Sequence, residues 1–221
     1  MAKATARLAA TLAVAGLVGI GGWRWATHWR PSPEVYRLQG VDLPADAPVI
    51  EWGSVRAAGA DFAYLTATVG ARMRAPAFEA NWHAVPEAGL RRGAVHLLDP
   101  CADGRAQADA FNAVVPRTAD ALPSAVAIEE AGDCDAVAAN RELRRFVAAA
   151  ETHSRKPIVL RVSRGVQGRY RLATAVDRPL WVMGDFLRPG YAGRPWRLWR
   201  ASRIRRVDGV EQPMNWSVVA P

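Results

Sequence analysis

The side chains of this 221-residue chain that could carry chemistry sit at the ends of short apolar runs: Asp42, Thr68, His96, Asp99, Glu129 and Asp185. Carboxylates, hydroxyls and imidazoles are the groups that give and take protons in catalysis. The two cysteines, Cys101 and Cys134, are too few for a zinc site, which takes about four ligands. They are either core thiols or, in an oxidising compartment, a disulfide. No metal or cofactor site is read from the sequence.

These groups need strands to position them. Strands are expected at Tyr36–Val41, Asp61–Thr66, Gly93–Leu97, Ala125–Glu129, Pro157–Val162 and Leu180–Met183. Helices are expected between them, at Gly53–Ala58, Pro76–Ala88, Arg105–Val115, Asp135–His153 and Gly165–Leu172. In the longest helix Val137, Leu143, Phe146, Val147 and Ala150 recur at helical spacing. After Leu180 short strands and turns take over, with candidates at Trp196–Arg200 and Ile204–Val210. Alternating strands and helices give an α/β fold with a parallel sheet. The expected architecture is an irregular TIM-like (β/α) barrel of about five βα units plus extra strands. In such barrels functional groups lie at the C-terminal strand ends, which is why the six residues above stand out.

The composition excludes disorder and a collagen-like chain, since half the residues are hydrophobic. The net charge of +8, from 29 Lys+Arg against 21 Asp+Glu, would draw the protein to something acidic. An Ala- and Arg-rich composition from a GC-rich genome is the simpler account of it. The Arg-rich C-terminal region (Arg197, Arg200, Arg203, Arg205, Arg206) could form a surface for anionic lipid, but no nucleic-acid motif accompanies it and no nucleic-acid partner is expected.

At the N-terminus Lys3 and Arg7 precede an uncharged run from Leu8 to Trp23. This has the form of a signal peptide or signal anchor. Trp23, Trp25 and Trp29 with Arg24 and Arg30 suit the headgroup interface, and no small-residue cleavage site ends the run, so an uncleaved transmembrane anchor is expected. The run is short of the roughly 20 residues of a full span. Residues 1–30 are read as the anchor, 31–35, containing Pro31 and Pro33, as a linker, and 36–221 as the barrel. The body is then expected to face the periplasm from the bacterial inner membrane, or to be secreted if the segment is cleaved. There, Cys101 after the third strand and Cys134 after the fourth should pair, because neighbouring parallel strands bring them close.

An ordered series of segments resembles glycoside hydrolase family 25. Gly40-Val41-Asp42 looks like the family's opening Gly-Ile-Asp strand, and Ile50-Glu51-Trp52 like its Ile-Asp-Trp. Asp61-Phe62-Ala63-Tyr64-Leu65 and Phe78-Glu79-Ala80-Asn81-Trp82 follow in order. Ala88-Gly89-Leu90-Arg91-Arg92-Gly93-Ala94-Val95-His96 is similar to the family's Ala-Gly-Leu-x-x-Gly-Ala-Tyr-His. Later come Ala125-Val126-Ala127-Ile128-Glu129, Arg178-Pro179-Leu180-Trp181-Val182 and Arg194-Pro195-Trp196-Arg197-Leu198-Trp199. The resemblance implies an irregular barrel and a lysozyme that cuts the β-1,4 bond between N-acetylmuramic acid and N-acetylglucosamine in peptidoglycan.

It also implies a site with parts missing. Glycoside hydrolysis commonly uses two carboxylates. The family places both on one strand as Asp-x-Glu, where alternate residues share a face. Here the triplet is Ala127-Ile128-Glu129: the general-acid Glu is kept and the Asp is Ala. Glu130 should point to the other face. The family's Ser-His-His-Gln-Gly after the first Asp is Leu43-Pro44-Ala45-Asp46-Ala47, its Lys-Ala-Thr-Glu-Gly is Thr66-Ala67-Thr68-Val69-Gly70, its Val-Asp-Leu-Asn is Gln212-Pro213-Met214-Asn215, and the Gln of its Trp-Gln-Tyr is Arg200. The expected catalytic residues are Glu129 and Asp42, with His96, Thr68 and Asn215 contacting substrate. His96 could equally be a satisfied core histidine, and Asp99 and Asp185 are loop caps or replacement carboxylates. The expected function is a membrane-anchored, monomeric lysozyme-like hydrolase of peptidoglycan glycan strands with impaired activity. The alternative is a non-catalytic envelope-binding relative.

Overall fold

A computed structural model describes residues 2–221, with side chains for residue 7 and for residues 11–221. The elements are α1 (Ala2–His28), β1 (Gln39–Leu43), α2 (Trp52–Ala57), β2 (Phe62–Val69), β3 (Met73–Arg74), α3 (Phe78–Glu87), β4 (Arg91–Leu97), α4 (Gly104–Val114), β5 (Ala125–Ile128), α5 (Ala136–Ser154), β6 (Val159–Val162), α6 (Arg164–Tyr170), α7 (Leu172–Ala175), β7 (Leu180–Met183), β8 (Leu198–Arg205) and β9 (Met214–Val219).

The sheet runs β1-β9-β8-β7-β6-β5-β4-β2 and closes through a parallel β1–β2 pairing, while β3 is a short antiparallel flap on β2. Seven barrel strands are parallel, and β9 lies antiparallel between β8 and β1. The five expected βα units are present. The C-terminal end differs from expectation: β8 reaches Arg205, residues 206–210 lie outside the sheet, and the last strand is Met214–Val219. That last strand has buried Met214, Trp216, Ser217 and Val218, so burial on both faces hid the alternation that marks a half-buried strand.

Two apolar layers follow from the alternation of side chains across the strands. One lies inside the barrel and contains Phe62, Tyr64, Val95, Ala125, Ala127, Val159, Trp181 and Leu198. The other, far larger, lies between the strands and the helices and includes Val41, Leu65, Phe111, Leu143, Phe146 and Leu160. Helix α5 contributes Leu143, Phe146, Val147 and Ala150 to it, whereas Val137, expected on that face, is exposed. Asp135 caps α5 by accepting from the Ala138 amide, and the buried Glu142 accepts from the Gly104 amide at the start of α4. Gly104 is required there: a Cβ would meet the Glu142 carbonyl oxygen.

The outer face of the β8–β9 seam is shielded by the N-terminal segment, starting with the last turn of α1. The Arg206 amide donates to the Thr27 carbonyl, and the Arg205 guanidinium donates to the His28 carbonyl and stacks on Trp216. Burial, with Arg30 nearby, pushes Arg205 down to about 10. Of the Arg-rich C-terminal cluster, Arg205 is therefore structural, and Arg203 pairs with Asp185. Phe186 stacks on Trp25 and meets Trp29 at a tilt, and Tyr36 packs edge-on against Trp199. The Gln39 amide group donates to the carbonyls of Pro31 and Tyr36, so the stretch read as a linker is held against the barrel.

The expectation of a transmembrane helix is not supported. Helix α1 forms where the anchor was expected, but among the described residues no helix is long and apolar enough to cross a membrane. The physical reason is visible in the sequence: four glycines and Thr11 dilute the apolar run, and Arg24, Thr27 and His28 occupy the end that would extend it. Lys3 and residues 8–10 lie outside the described side chains.

Cys101 and Cys134 form a disulfide, with Cα atoms 5.5 Å apart. The pairing follows from the parallel β4–β5 contact, which delivers the loops after both strands to the same end of the barrel. The bridge spans 33 positions, and in the chain-entropy model such a loop stabilises by between about 3 and about 4.7 kcal/mol. Cys101→Ser/Cys134→Ser should lower the urea-unfolding free energy by that amount, and a loss well under 1 kcal/mol would show that the loops are ordered without it.

Candidate active site

Eight-strand closure sets the geometry. Strands β1 and β6 are four steps apart either way round the barrel and so face each other across it. Asp42 lies on β1, and Arg161 on β6. The Arg161 guanidinium crosses the interior and donates through Nη1 to Asp42 Oδ2 at 3.0 Å. Through Nη2 it donates to Glu129 Oε1 at 2.7 Å, beyond the end of the neighbouring β5. One arginine thus holds both expected catalytic carboxylates.

Asp42 is further bound on its other side. It is opposite Asn215 in the β1–β9 register, and Asn215 Nδ2 donates to Oδ2 at 2.8 Å. Two residues on, Ser217 Oγ donates to Oδ1 at 3.3 Å. Arg161 and Asp42 are 3% and 1% exposed, whereas half of Glu129 is exposed. Burying an ion pair this far has a desolvation cost that its Coulomb energy need not exceed, but removing one partner strands a buried charge, at about 3–5 kcal/mol. Trp181 lies below the guanidinium, 5.3 Å from ring centre to Cζ, in register with Arg161 on β7. In register on the other side is Ala127. Its methyl group, 1% exposed, stands where the resembled family carries an Asp.

In this arrangement one cation pairs with both expected carboxylates. A general acid must present a proton to a glycosidic oxygen. Glu129 Oε1 instead accepts from a guanidinium, and Asp42 has both oxygens occupied by donors. Asp99 and Asp185 take loop roles: Asp99 accepts from the Cys101 amide and Asp185 pairs with Arg203. Glu130 is exposed. Among the described residues no group of three or more His, Cys, Asp or Glu could hold a metal ion.

Of the five residues singled out by sequence, Asp42, Glu129 and Asn215 come together. Thr68 and His96 do not join them. A bulge between Thr66 and Thr68 sets Thr68 opposite His96, and the imidazole stacks on Phe146 of α5 at 4.4 Å with Phe111 of α4 nearby. Both therefore belong to the layer between strands and helices. His96 Nδ1 lies 2.8 Å from Thr68 Oγ1 and Nε2 lies 3.3 Å from Gln107 Oε1. Gln107 Oε1 can only accept, so the network assigns the ring proton to Nε2 and leaves Nδ1 to accept from Thr68. Arg161 was missed. Its signal was a lone charge inside Val159-Leu160-Arg161-Val162, a strand buried on both faces.

The family model described as Glycosyl hydrolases family 25 matches residues 41–209. A family 25 glycosyl hydrolase from Bacillus anthracis has a similar structure, with a TM-score of 0.79 at 22% identity, covering 88% of this chain and 93% of that one. The bacterial lysozyme from Streptomyces coelicolor superimposes with a TM-score of 0.74 at 26% identity, over 83% of this chain and 92% of that one. In sequence the chain is 29% identical over 194 residues to the uncharacterized protein YegX of Escherichia coli (strain K12), covering 84% of this chain and 71% of that protein.

Burial pushes the His96 imidazole down from 6.5 to about 4, against the bond to Gln107. Below pH 6.5 the unfolded chain gains a proton that the folded chain refuses. This contribution is complete above 6.5 and is lost as the pH falls to about 4, a change of about 3 kcal/mol. Urea midpoints measured from pH 7 to pH 4 should therefore fall more steeply for the natural chain than for His96→Gln. Parallel curves would place the imidazole in contact with water.

Proposed function

We propose, on the premise that this chain belongs to glycoside hydrolase family 25, that it engages peptidoglycan glycan strands at the C-terminal mouth of its barrel and cleaves their β-1,4 bond slowly or not at all. The substrate class rests on the family and on the lysozyme it resembles. The reduced chemistry rests on one observation: Arg161 ties Asp42 to Glu129 beside the methyl of Ala127. Retaining and inverting hydrolysis alike need one carboxyl to protonate the leaving oxygen and a second to act on the sugar or on water. Here the first is engaged by a guanidinium, and the Asp that the family carries two positions before it is Ala127. Loss of one positioned acid–base group costs about 10²–10⁴ in rate.

The same reading puts the body outside the cytoplasm, attached to the inner membrane by α1. Two features support it. The disulfide belongs to an oxidising compartment. Leu12, Val14, Leu17, Val18 and Ile20 of α1 are all more than 60% exposed, leaving an apolar surface that the protein itself does not cover.

Two measurements test these proposals. Purified peptidoglycan incubated with the natural protein should release muropeptides at or near background, and Ala127→Asp should raise the rate, because the new carboxylate faces the interior beside Arg161. The Val and Pro at positions 69 and 213 limit the gain. Robust natural turnover lost in Glu129→Gln would show that another group supplies the second carboxylate, and robust turnover that survives Glu129→Gln would reject the site. For the location, a reporter active only outside the cytoplasm, fused after Trp29, should be active, and Leu17→Asp/Val18→Asp should move the full chain from the membrane to the soluble fraction. Activity only of a reporter that requires the cytoplasm would reverse the orientation.

A further inference from the structure

The base of the barrel, at the end opposite Asp42 and Glu129, holds a cavity of about 310 Å³. Phe62, Tyr64, Val159 and Leu198 form its floor, and each belongs to the interior apolar layer. A closed barrel of this strand number is normally filled by side chains. Here β5 supplies only Ala125 and Ala127 to the interior, and β4 opposes the Tyr64 ring with Gly93, where a Cβ would collide with that ring. The Tyr64 ring takes the space over Gly93, and the pit lined by Phe62, Val159 and Leu198 opens at the base. The Tyr64 hydroxyl is not free for a ligand, since it donates to the Pro123 carbonyl at 2.9 Å.

The rim is charged and asymmetric. Arg91 at the start of β4 and Arg197 just before β8 are both exposed at the mouth. Neither enters an ion pair among the described residues. The one carboxylate of the rim, Asp61, is already satisfied by Arg56 at 3.1 Å and by the Gln39 amide. An apolar pit with two unpaired guanidiniums at its mouth selects a molecule with an apolar tail and an anionic head. Its volume lies at the lower end of the range for small-molecule sites, which suits one short chain and excludes a two-chain lipid.

We propose that this cavity binds a single-chain amphiphilic anion, an acyl carboxylate, with the chain on Phe62, Val159 and Leu198 and the carboxylate between Arg91 and Arg197. The site is separate from the carboxylate cluster, so its occupancy does not depend on whether the protein hydrolyses glycan.

The test is calorimetric titration of the full chain with sodium decanoate below its micelle concentration, beside butyrate and 1-decanol. Decanoate should bind saturably at one site, butyrate should not bind measurably, and decanol should bind more weakly than decanoate. Arg91→Gln and Arg197→Gln should each weaken decanoate about two- to fivefold, as expected for exposed charge pairs, and leave decanol unchanged. Val159→Trp should fill the pit and abolish decanoate binding. If that variant does not fold, Leu38→Asp at the half-exposed wall, which sets a like charge beside the head group, should weaken decanoate at least as much as either arginine change. No saturable binding of decanoate overturns the proposal. Binding that survives Val159→Trp or Leu38→Asp also overturns it, because the exposed apolar surface of α1 would then be the site. Decanol binding as tight as decanoate overturns the anionic part.

Discussion

The guanidinium of Arg161 spans the barrel from β6 to β1 and also reaches Glu129, and the character of the site follows from that span. Without it, Asp42 would carry a buried charge answered only by Asn215 and Ser217. With it, the charge is matched, and one cation holds both carboxylates. The arrangement also explains why Ala is accommodated at 127. The position is adjacent to Arg161 on β5, and a small side chain there leaves the guanidinium its path across the interior.

The rest of the structure holds that crossing in place. Closure through β1–β2 sets the distance across the interior, and the large apolar layer under the helices fixes the strands. The antiparallel β9 contributes Asn215 and Ser217 to Asp42 while using its other face for Trp216, whose indole donates to Gln39 and carries Arg205 on its ring. Trp216 thereby joins the barrel wall to the N-terminal segment. That segment covers the outer face of the β8–β9 seam, so the chain from Thr27 to Tyr36 is part of the body's packing, whatever the exposed turns of α1 do beyond it.

The two ends of the barrel are chemically unlike. At the C-terminal mouth Arg161, Asp42, Glu129, Asn215 and Ser217 bind one another, and the interior is closed by an ion pair over Trp181, with Arg161 Nε and Trp181 Nε1 left without a partner. At the base, Phe62, Val159 and Leu198 line an apolar space under a cationic rim.

The sequence by itself determined the alternation of strands and helices, because apolar periodicity is a local property, and each of the first six expected strands overlaps an observed one. It determined the disulfide too, since Cys101 and Cys134 follow adjacent strands and parallel pairing has one outcome. It placed Asp42 and Glu129 at strand ends that closure brings together, while Asn215 was named by the family resemblance alone, on a strand that was not expected. It did not reveal Arg161, whose partner Asp42 is 119 positions away. Nor did it settle His96: β4 places it on the helix side, where a bulge in β2 brings Thr68 to it rather than to the carboxylates. Only the tertiary structure decided these, because which face of a strand a residue occupies depends on register, and which charge answers another across a barrel depends on how many strands close it.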